Sequence, residues 1–164
     1  MQKYNNKKGF TLIELLIVIA IIAILAGVVF VSLDPLTRFQ DARNSARWTD
    51  ATAILSAIKV DQVDNGGGYL TAVDGLTPGT NYMIGEATTG CNVSACSVVT
   101  ASANCVDLTE IATQGYLARV PVSPNGAGSW DSNKTGYYLS KNTNGSLTVG
   151  ACDAEGGDTI TVNR

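Results

Sequence analysis

Gly9-Phe10-Thr11-Leu12-Ile13-Glu14 joins a short basic leader to an apolar run, and the reading of this junction decides the fold that follows. From Leu15 to Val31, seventeen consecutive residues are Leu, Ile, Val, Ala, Gly or Phe, without one hydrogen-bonding side chain. Such a run belongs in lipid or between packed helices. Glu14 stands one turn inside the segment. An unpaired charge there costs several kcal/mol, on the order given for intramembrane ionisable groups, so the position implies a partner for the carboxylate. A cationic amine beside it turns two costly solitary charges into one paired site. Two plainer readings compete: a signal-anchor helix whose Glu14 snorkels to the interface, and a signal peptide cut near Ala26, for which the apolar region is too long.

Downstream of the run, Asp34-Pro35 removes a backbone donor and crowds the preceding turn, which predicts a kink or short break. Helical character resumes from Leu36 to about Asp64, where Ala42, Ala46, Ala53, Ile54, Ala57 and Ile58 recur at spacings of three and four. Asp34 with Arg38, and Arg47 with Asp50, have spacings that support side-chain ion pairs. Asn65-Gly66-Gly67-Gly68 then stops the helix, because glycine supplies the left-handed conformation that a C-terminus needs. Residues 10–64 are 55 in number, or roughly 80 Å at about 1.5 Å each. The expected organisation is a leader over residues 1–9, a transmembrane or filament-core helix over 10–33, its amphipathic second half over 34–64, and a head over 65–164.

The head has its clearest pattern in the last thirty residues. Gly136 to Lys141, Leu147 to Ala151 and Thr159 to Val162 read as strands, separated by turns at Asn144-Gly145 and around Gly156-Gly157. A three-stranded antiparallel sheet laid on the second half of the long helix is expected, an α+β architecture. Tyr82-Met83-Ile84 is a short strand candidate. Asp107-Leu108-Thr109-Glu110 has the form of a capping box opening a helix that Gly115 closes. Tyr69, Tyr82, Tyr137 and Tyr138 are expected to pack in the sheet and core.

Charge places the chain in the cell. Eleven basic residues face fourteen acidic ones; removing Lys3, Lys7 and Lys8 with the leader leaves eight against fourteen, or −6. A head that acidic is a poor binder of nucleic acid, and none is expected as a partner. The leader lysines fit the positive-inside rule, which predicts a single-pass protein with its amino terminus in the cytoplasm. Outside the cytoplasm, Cys91, Cys96, Cys105 and Cys152 read as two disulfides. Zinc is the competing reading, but there is no histidine and no Cys-x-x-Cys. Three pairings are open; Cys96 with Cys105 locally and Cys91 with Cys152 across the head is preferred.

Catalytic motifs recede under the same scrutiny. Without histidine, Ser-His-Asp and Cys-His chemistry are excluded, and Ser56-Ala57-Ile58-Lys59 matches a Ser-x-x-Lys motif without its companions. No enzymatic activity and no cofactor is expected. Asp131-Ser132-Asn133-Lys134-Thr135-Gly136 starts like a calcium loop, which makes Asp131 and Asn133 calcium candidates, yet Asn142 stands where the closing glutamate belongs. A solvated turn is the preferred reading.

A Lys-bearing leader, then Gly-Phe-Thr-Leu-Ile-Glu-Leu-Leu, then a long apolar helix resembles the prepilin signature of type IV pilins and of the pseudopilins of type II secretion systems. The later helix, the Leu117-Ala118-Arg119-Val120-Pro121 segment and the tyrosine-bearing strands resemble, more faintly, the head of the same family. The resemblance implies a structural subunit stored in the cytoplasmic membrane. A prepilin peptidase would cut after Gly9 and methylate the new terminus at Phe10. Glu14 would pair with the terminal amine of a neighbouring subunit as the helix joins a filament. An assembly ATPase and a polytopic platform protein are the implied machinery. Calcium binding in the corresponding head loop is known for major pseudopilins, which keeps Asp131 and Asn133 in view. A cell-surface type IV pilin is the leading reading. The alternatives are a periplasmic pseudopilin of type II secretion, a minor pilin with a ligand-binding head, and an anchored protein that does not polymerise.

Overall fold

The structure is a computed structural model that describes residues 9–100, 105–126 and 128–164. The chain divides into two compact units, Met1–Phe39 and Gln40–Arg164. Its architecture is α+β, a long amino-terminal helical segment and a small antiparallel sheet, as the sequence predicts.

In the first unit, helix α1 (Leu12–Leu33) has 22 residues and buries none of them. At about 1.5 Å per residue it is roughly 33 Å long, the thickness of a bilayer's hydrocarbon core. It ends at Asp34, which adopts φ 36°, ψ 74° and is the only non-glycine residue with positive φ among those described. Its carboxylate accepts a 2.6 Å hydrogen bond from the Thr37 hydroxyl, and local bonding of this kind is what lets aspartate tolerate the left-handed region. Pro35 then opens helix α2 (Pro35–Asp64), where its missing N–H costs nothing. The predicted interruption at Asp34-Pro35 is present.

In the second unit, α2 buries Asn44, Arg47, Ala51, Ile54, Leu55, Ala57, Ile58 and Asp61. The three-and-four spacing is the predicted one, but the stripe is rotated. Ala42 is exposed and Ala46 and Ala53 are half-buried, while Asn44 and Arg47 point inward. The helix stops in a Schellman arrangement: Gly67 N–H donates to the Gln62 carbonyl at 2.8 Å and Gly66 N–H to the Val63 carbonyl at 3.2 Å, with Gly66 at φ 68°.

The sheet has four strands rather than three, β1 (Asn81–Met83), β2 (Tyr137–Lys141), β3 (Leu147–Ala151) and β4 (Thr161–Asn163), in that spatial order and antiparallel throughout. The extra strand is the Tyr82-Met83 candidate, which pairs with β2 from a distance of over fifty residues, Tyr82 opposite Leu139. Both faces of β2 are covered. Tyr137 and Leu139 join Leu147, Val149 and Ile160 against Ala51, Ile54, Leu55 and Ile58 of α2, while Tyr138 faces a second cluster with Met83, Val99, Trp130, Cys91 and Cys96. Tyr69 and Tyr82 pack at the edge of the first cluster, so all four tyrosines serve packing, as expected.

Two short helices complete the head, α3 (Thr71–Asp74) and α4 (Thr109–Thr113). The predicted capping box before α4 does not form. The Asp107 carboxylate accepts instead from the backbone N–H of Thr109 at 2.8 Å and from its hydroxyl at 2.6 Å, an Asx turn that competes for the same oxygen. Gly115 follows the helix at φ 88°, as anticipated.

Two disulfides close, but in the pairing not preferred from the sequence: Cys91 with Cys105 and Cys96 with Cys152. The reason lies in a segment with no strand signature. Val106 forms a parallel bridge to Ile84 and Cys105 N–H bonds the Ala87 carbonyl at 3.2 Å. This lays Cys105 alongside the stretch leading to Cys91. Cys96 sits in a single 3₁₀ turn (Ser94–Cys96) and is left to meet Cys152 just past β3. Gly85 permits the crowding at this crossing, since a Cβ there would lie 2.0 Å from the Asn133 carbonyl oxygen.

Candidate functional site

The amino-terminal site begins at Gly9, where a Cβ would meet nothing within 4 Å. Nothing among the described residues therefore demands glycine at this position. Lys3, Lys7 and Lys8 of the expected leader lie outside the described residues. Phe10 is 83% exposed, and Thr11 is the N-cap of α1 with extended backbone, φ −81° and ψ 153°. Thr11 and Glu14 form a reciprocal capping box: Thr11 N–H and Thr11 hydroxyl both donate to Glu14 Oε2, at 2.8 and 2.7 Å, and Glu14 N–H donates to Thr11 Oγ1 at 3.3 Å. The box satisfies orphan donors at the helix start and sets a carboxylate against the positive end of the helix dipole. Sequence reasoning missed it, although Thr-x-x-Glu before an apolar run is its signature. Only Oε2 is engaged. Oε1 accepts no hydrogen bond among the described residues, so the carboxylate caps its own helix and keeps an oxygen for another cation.

Phe10 to Val31 is unlike a protein surface that faces water. Its large apolar side chains, from Phe10 to Val31, are all at least half exposed, Ile17 and Leu25 at 51% and 59% among them. A contiguous exposed apolar stretch of this size needs lipid or other protein to cover it.

A second polar constellation lies within the head, where α2 meets the loops after β3 and around Ser123. Arg47 is fully buried. Its Nε donates to Ser123 Oγ at 3.0 Å, one terminal nitrogen to Asn44 Oδ1 at 3.0 Å and Glu155 Oε2 at 3.1 Å, and the other to the Pro124 carbonyl at 2.9 Å. The Asp153 carboxylate lies 3.5 Å from Nε and accepts from Ser123, Trp130 Nε1 and Gly128 N–H. Arg43 grips Glu155 with two bonds of 2.5 and 2.6 Å. This fork, followed by the bond from Arg47, holds the Glu155 carboxyl down at about 2. The sequence pairs Arg47 with Asp50, which is not what forms. Asp50 accepts from the Tyr137 hydroxyl at 2.7 Å, and burial, with that bond, pushes the hydroxyl above its ordinary pKa. The rotated inward face of α2 is the cause of the exchange.

The remaining candidates are placed as follows. Asp131 Oδ1 accepts from the N–H groups of Asn133 at 2.9 Å and Lys134 at 3.0 Å, an arrangement first of backbone bonds that holds its carboxyl below the usual range. Asn133 is exposed, and its carbonyl lies against Gly85 and Ala87. No group of three or more Cys, Asp or Glu side chains with metal-site spacing occurs among the described residues. Lys59 of the Ser-x-x-Lys stretch donates to Tyr69 and Gln62, not to Ser56.

With this geometry in view, likeness to known proteins takes on a specific meaning. The family described as the prokaryotic N-terminal methylation motif matches residues 4–30, the junction and most of α1. The type IV wide pilus major component PilA4 of Thermus thermophilus is 45% identical over 104 residues, which cover 61% of this chain and 70% of that protein. No solved structure matches the chain. The shared identity extends well beyond what the motif alone covers, and the chain belongs to the type IV pilin family.

Proposed function

We propose that the chain is a structural subunit of a cell-surface type IV pilus. It is held in the cytoplasmic membrane through α1 with its amino terminus inside, cut after Gly9, methylated at Phe10, and polymerised through α1 into a homo-oligomeric filament. Likeness to a type IV pilus component supports this reading; a pseudopilin or a minor pilin is the alternative. The prepilin peptidase, assembly ATPase and platform protein are its partners, and the chain itself carries out no reaction.

The observation that carries the proposal is the divided use of the Glu14 carboxylate. Oε2 is committed to the capping box, while Oε1 accepts no hydrogen bond among the described residues, at the head of a helix with no buried residue. In hydrocarbon that half-satisfied anion is costly. Against the ammonium of a neighbour's Phe10 it becomes a charge-assisted hydrogen bond.

Glu14→Gln separates the two roles, since glutamine at this position still completes a capping box but carries no charge. The expected outcome is a processed, membrane-held subunit with α1 intact and filament yield sharply reduced, because each contact leaves an ammonium unpaired at about 3 to 5 kcal/mol. The readout is the ratio of sheared filament to membrane-held mature subunit. An unchanged ratio would show Glu14 to be a capping residue alone.

A further inference from the structure

Asp61 is the one residue of the fold with a buried side-chain oxygen lacking any hydrogen-bond partner among the described residues: its Oδ2 is orphaned although the residue is 0% exposed. Such a group is expensive, because a carboxylate taken from water without a partner keeps the full desolvation penalty. Asp61 forms part of the wall of a cavity of about 300 Å³ at the carboxyl end of α2, together with Asn65, Tyr69, Thr71, Glu110 and Gln114.

The wall is rich in acceptors. The Asn65 side-chain amide spends its N–H donors on the Asp61 carbonyl and Oδ1, at 3.0 and 2.9 Å, leaving its own oxygen. Gln114 donates one N–H of its amide to Glu110 Oε1 at 3.0 Å, leaving its oxygen and a second N–H. The helix beneath has 30 residues and no basic residue in its last turn, so its negative dipole end is uncompensated. The Lys59 and Lys141 ammonium groups lie over the Tyr69 ring at 4.9 and 5.6 Å from its centroid and are not part of the wall, Lys59 donating to Tyr69 and Gln62 and Lys141 to Asp74.

We propose that this cavity binds one divalent cation of the calcium type, with Asp61 and Glu110 as its charged ligands and the Asn65 and Gln114 side-chain oxygens as neutral ones. Two carboxylates with neutral oxygens in an irregular cage suit calcium, which takes six to eight such ligands, better than magnesium, which demands a near-ideal octahedron. The site differs from the Asp131 loop, whose carboxylate oxygen is already occupied by two backbone N–H groups. Its position, joining the end of α2 to α4, would fasten the helix terminus to the head.

The test is calorimetric titration of calcium chloride into the full-length, EDTA-stripped chain in detergent, with melting of the head followed by near-UV circular dichroism. One equivalent should bind, and melting should shift upward in millimolar calcium but far less in equal magnesium. Asp61→Asn should weaken binding by about a hundredfold and Glu110→Gln by about tenfold, the trend expected as ligand charge is removed, while Asp131→Asn leaves it unchanged. Glu110 is exposed, so its variant folds even if the Asp61 variant does not. Absence of binding at 10 mM calcium, wild-type affinity in Glu110→Gln, or loss of binding in Asp131→Asn would each overturn the proposal.

Discussion

Replacing Arg47 by methionine tests what joins the helix to the head in the second unit. Methionine keeps the aliphatic stem, so no large cavity opens, but the guanidinium and its four hydrogen bonds of 2.9 to 3.1 Å are lost. Glu155 still has Arg43. Asp153 has no second ion-pair contact among the described residues and is left with its hydrogen bonds from Ser123, Gly128 and Trp130 and the more distant charge of Arg43. Removing one partner of a buried pair costs about 3 to 5 kcal/mol, and the surviving donors to Asp153 place this case near 3. For the 125 residues of Gln40–Arg164 that is a drop of roughly 10 °C in melting temperature, or about 1.5 M in the urea midpoint. The assay is urea unfolding of the full chain in detergent, followed by near-UV circular dichroism. Adding Asp153→Asn removes the stranded charge, so the double variant should be more stable than the sum of the singles by about 2 kcal/mol. A loss below 1 kcal/mol, or strict additivity, would refute the anchoring role assigned to Arg47.

Acid should loosen the same junction. Glu155 is held near 2 against an ordinary 4.5, so its stabilisation is complete above about 4.5 and drains away as pH falls toward 2. It amounts to at most about 3 kcal/mol, less whatever solvent screens at the partly exposed Arg43, and Glu155→Gln should flatten the stability profile over that window. Cys96→Ser with Cys152→Ser opens a 56-residue loop and Cys91→Ser with Cys105→Ser a 14-residue loop. Chain entropy predicts losses of about 4 and about 3 kcal/mol respectively, and peptide mapping without reduction checks the pairing itself. Gly9→Val should leave the head's melting unchanged, since a Cβ there meets none of the described residues, while unprocessed precursor accumulates on immunoblots. Normal processing of that variant would remove the argument that the peptidase needs a bare backbone.

What the sequence makes legible here is local. The apolar run, the Asp34-Pro35 interruption, the triple-glycine stop and the Asn144-Gly145 hairpin each depend on neighbours within a few residues, and each is found. The features that escaped are those decided across the chain. Tyr82-Met83-Ile84 is legible as a strand candidate, but its place in the sheet is set only when β2 arrives, and the disulfide pairing turns on a parallel bridge between Ile84 and Val106 that has no periodic signature. Arg47 is paired with Asp50 by helical spacing. Its burial follows from Asp153 and Glu155, more than a hundred residues away, which no helical pattern can announce. The Thr11–Glu14 capping box is different in kind, for its signal was local and was hidden by the stronger claim that the charge of Glu14 makes on attention.

Intact mass together with amino-terminal sequencing of subunits sheared from the cell surface tests the account most directly. The account predicts one mature species in the filament fraction that begins at N-methylated Phe10 and weighs four hydrogens less before reduction than after. A chain that retains Met1 to Gly9, one that begins near Gly27, or its absence from sheared filaments would contradict it.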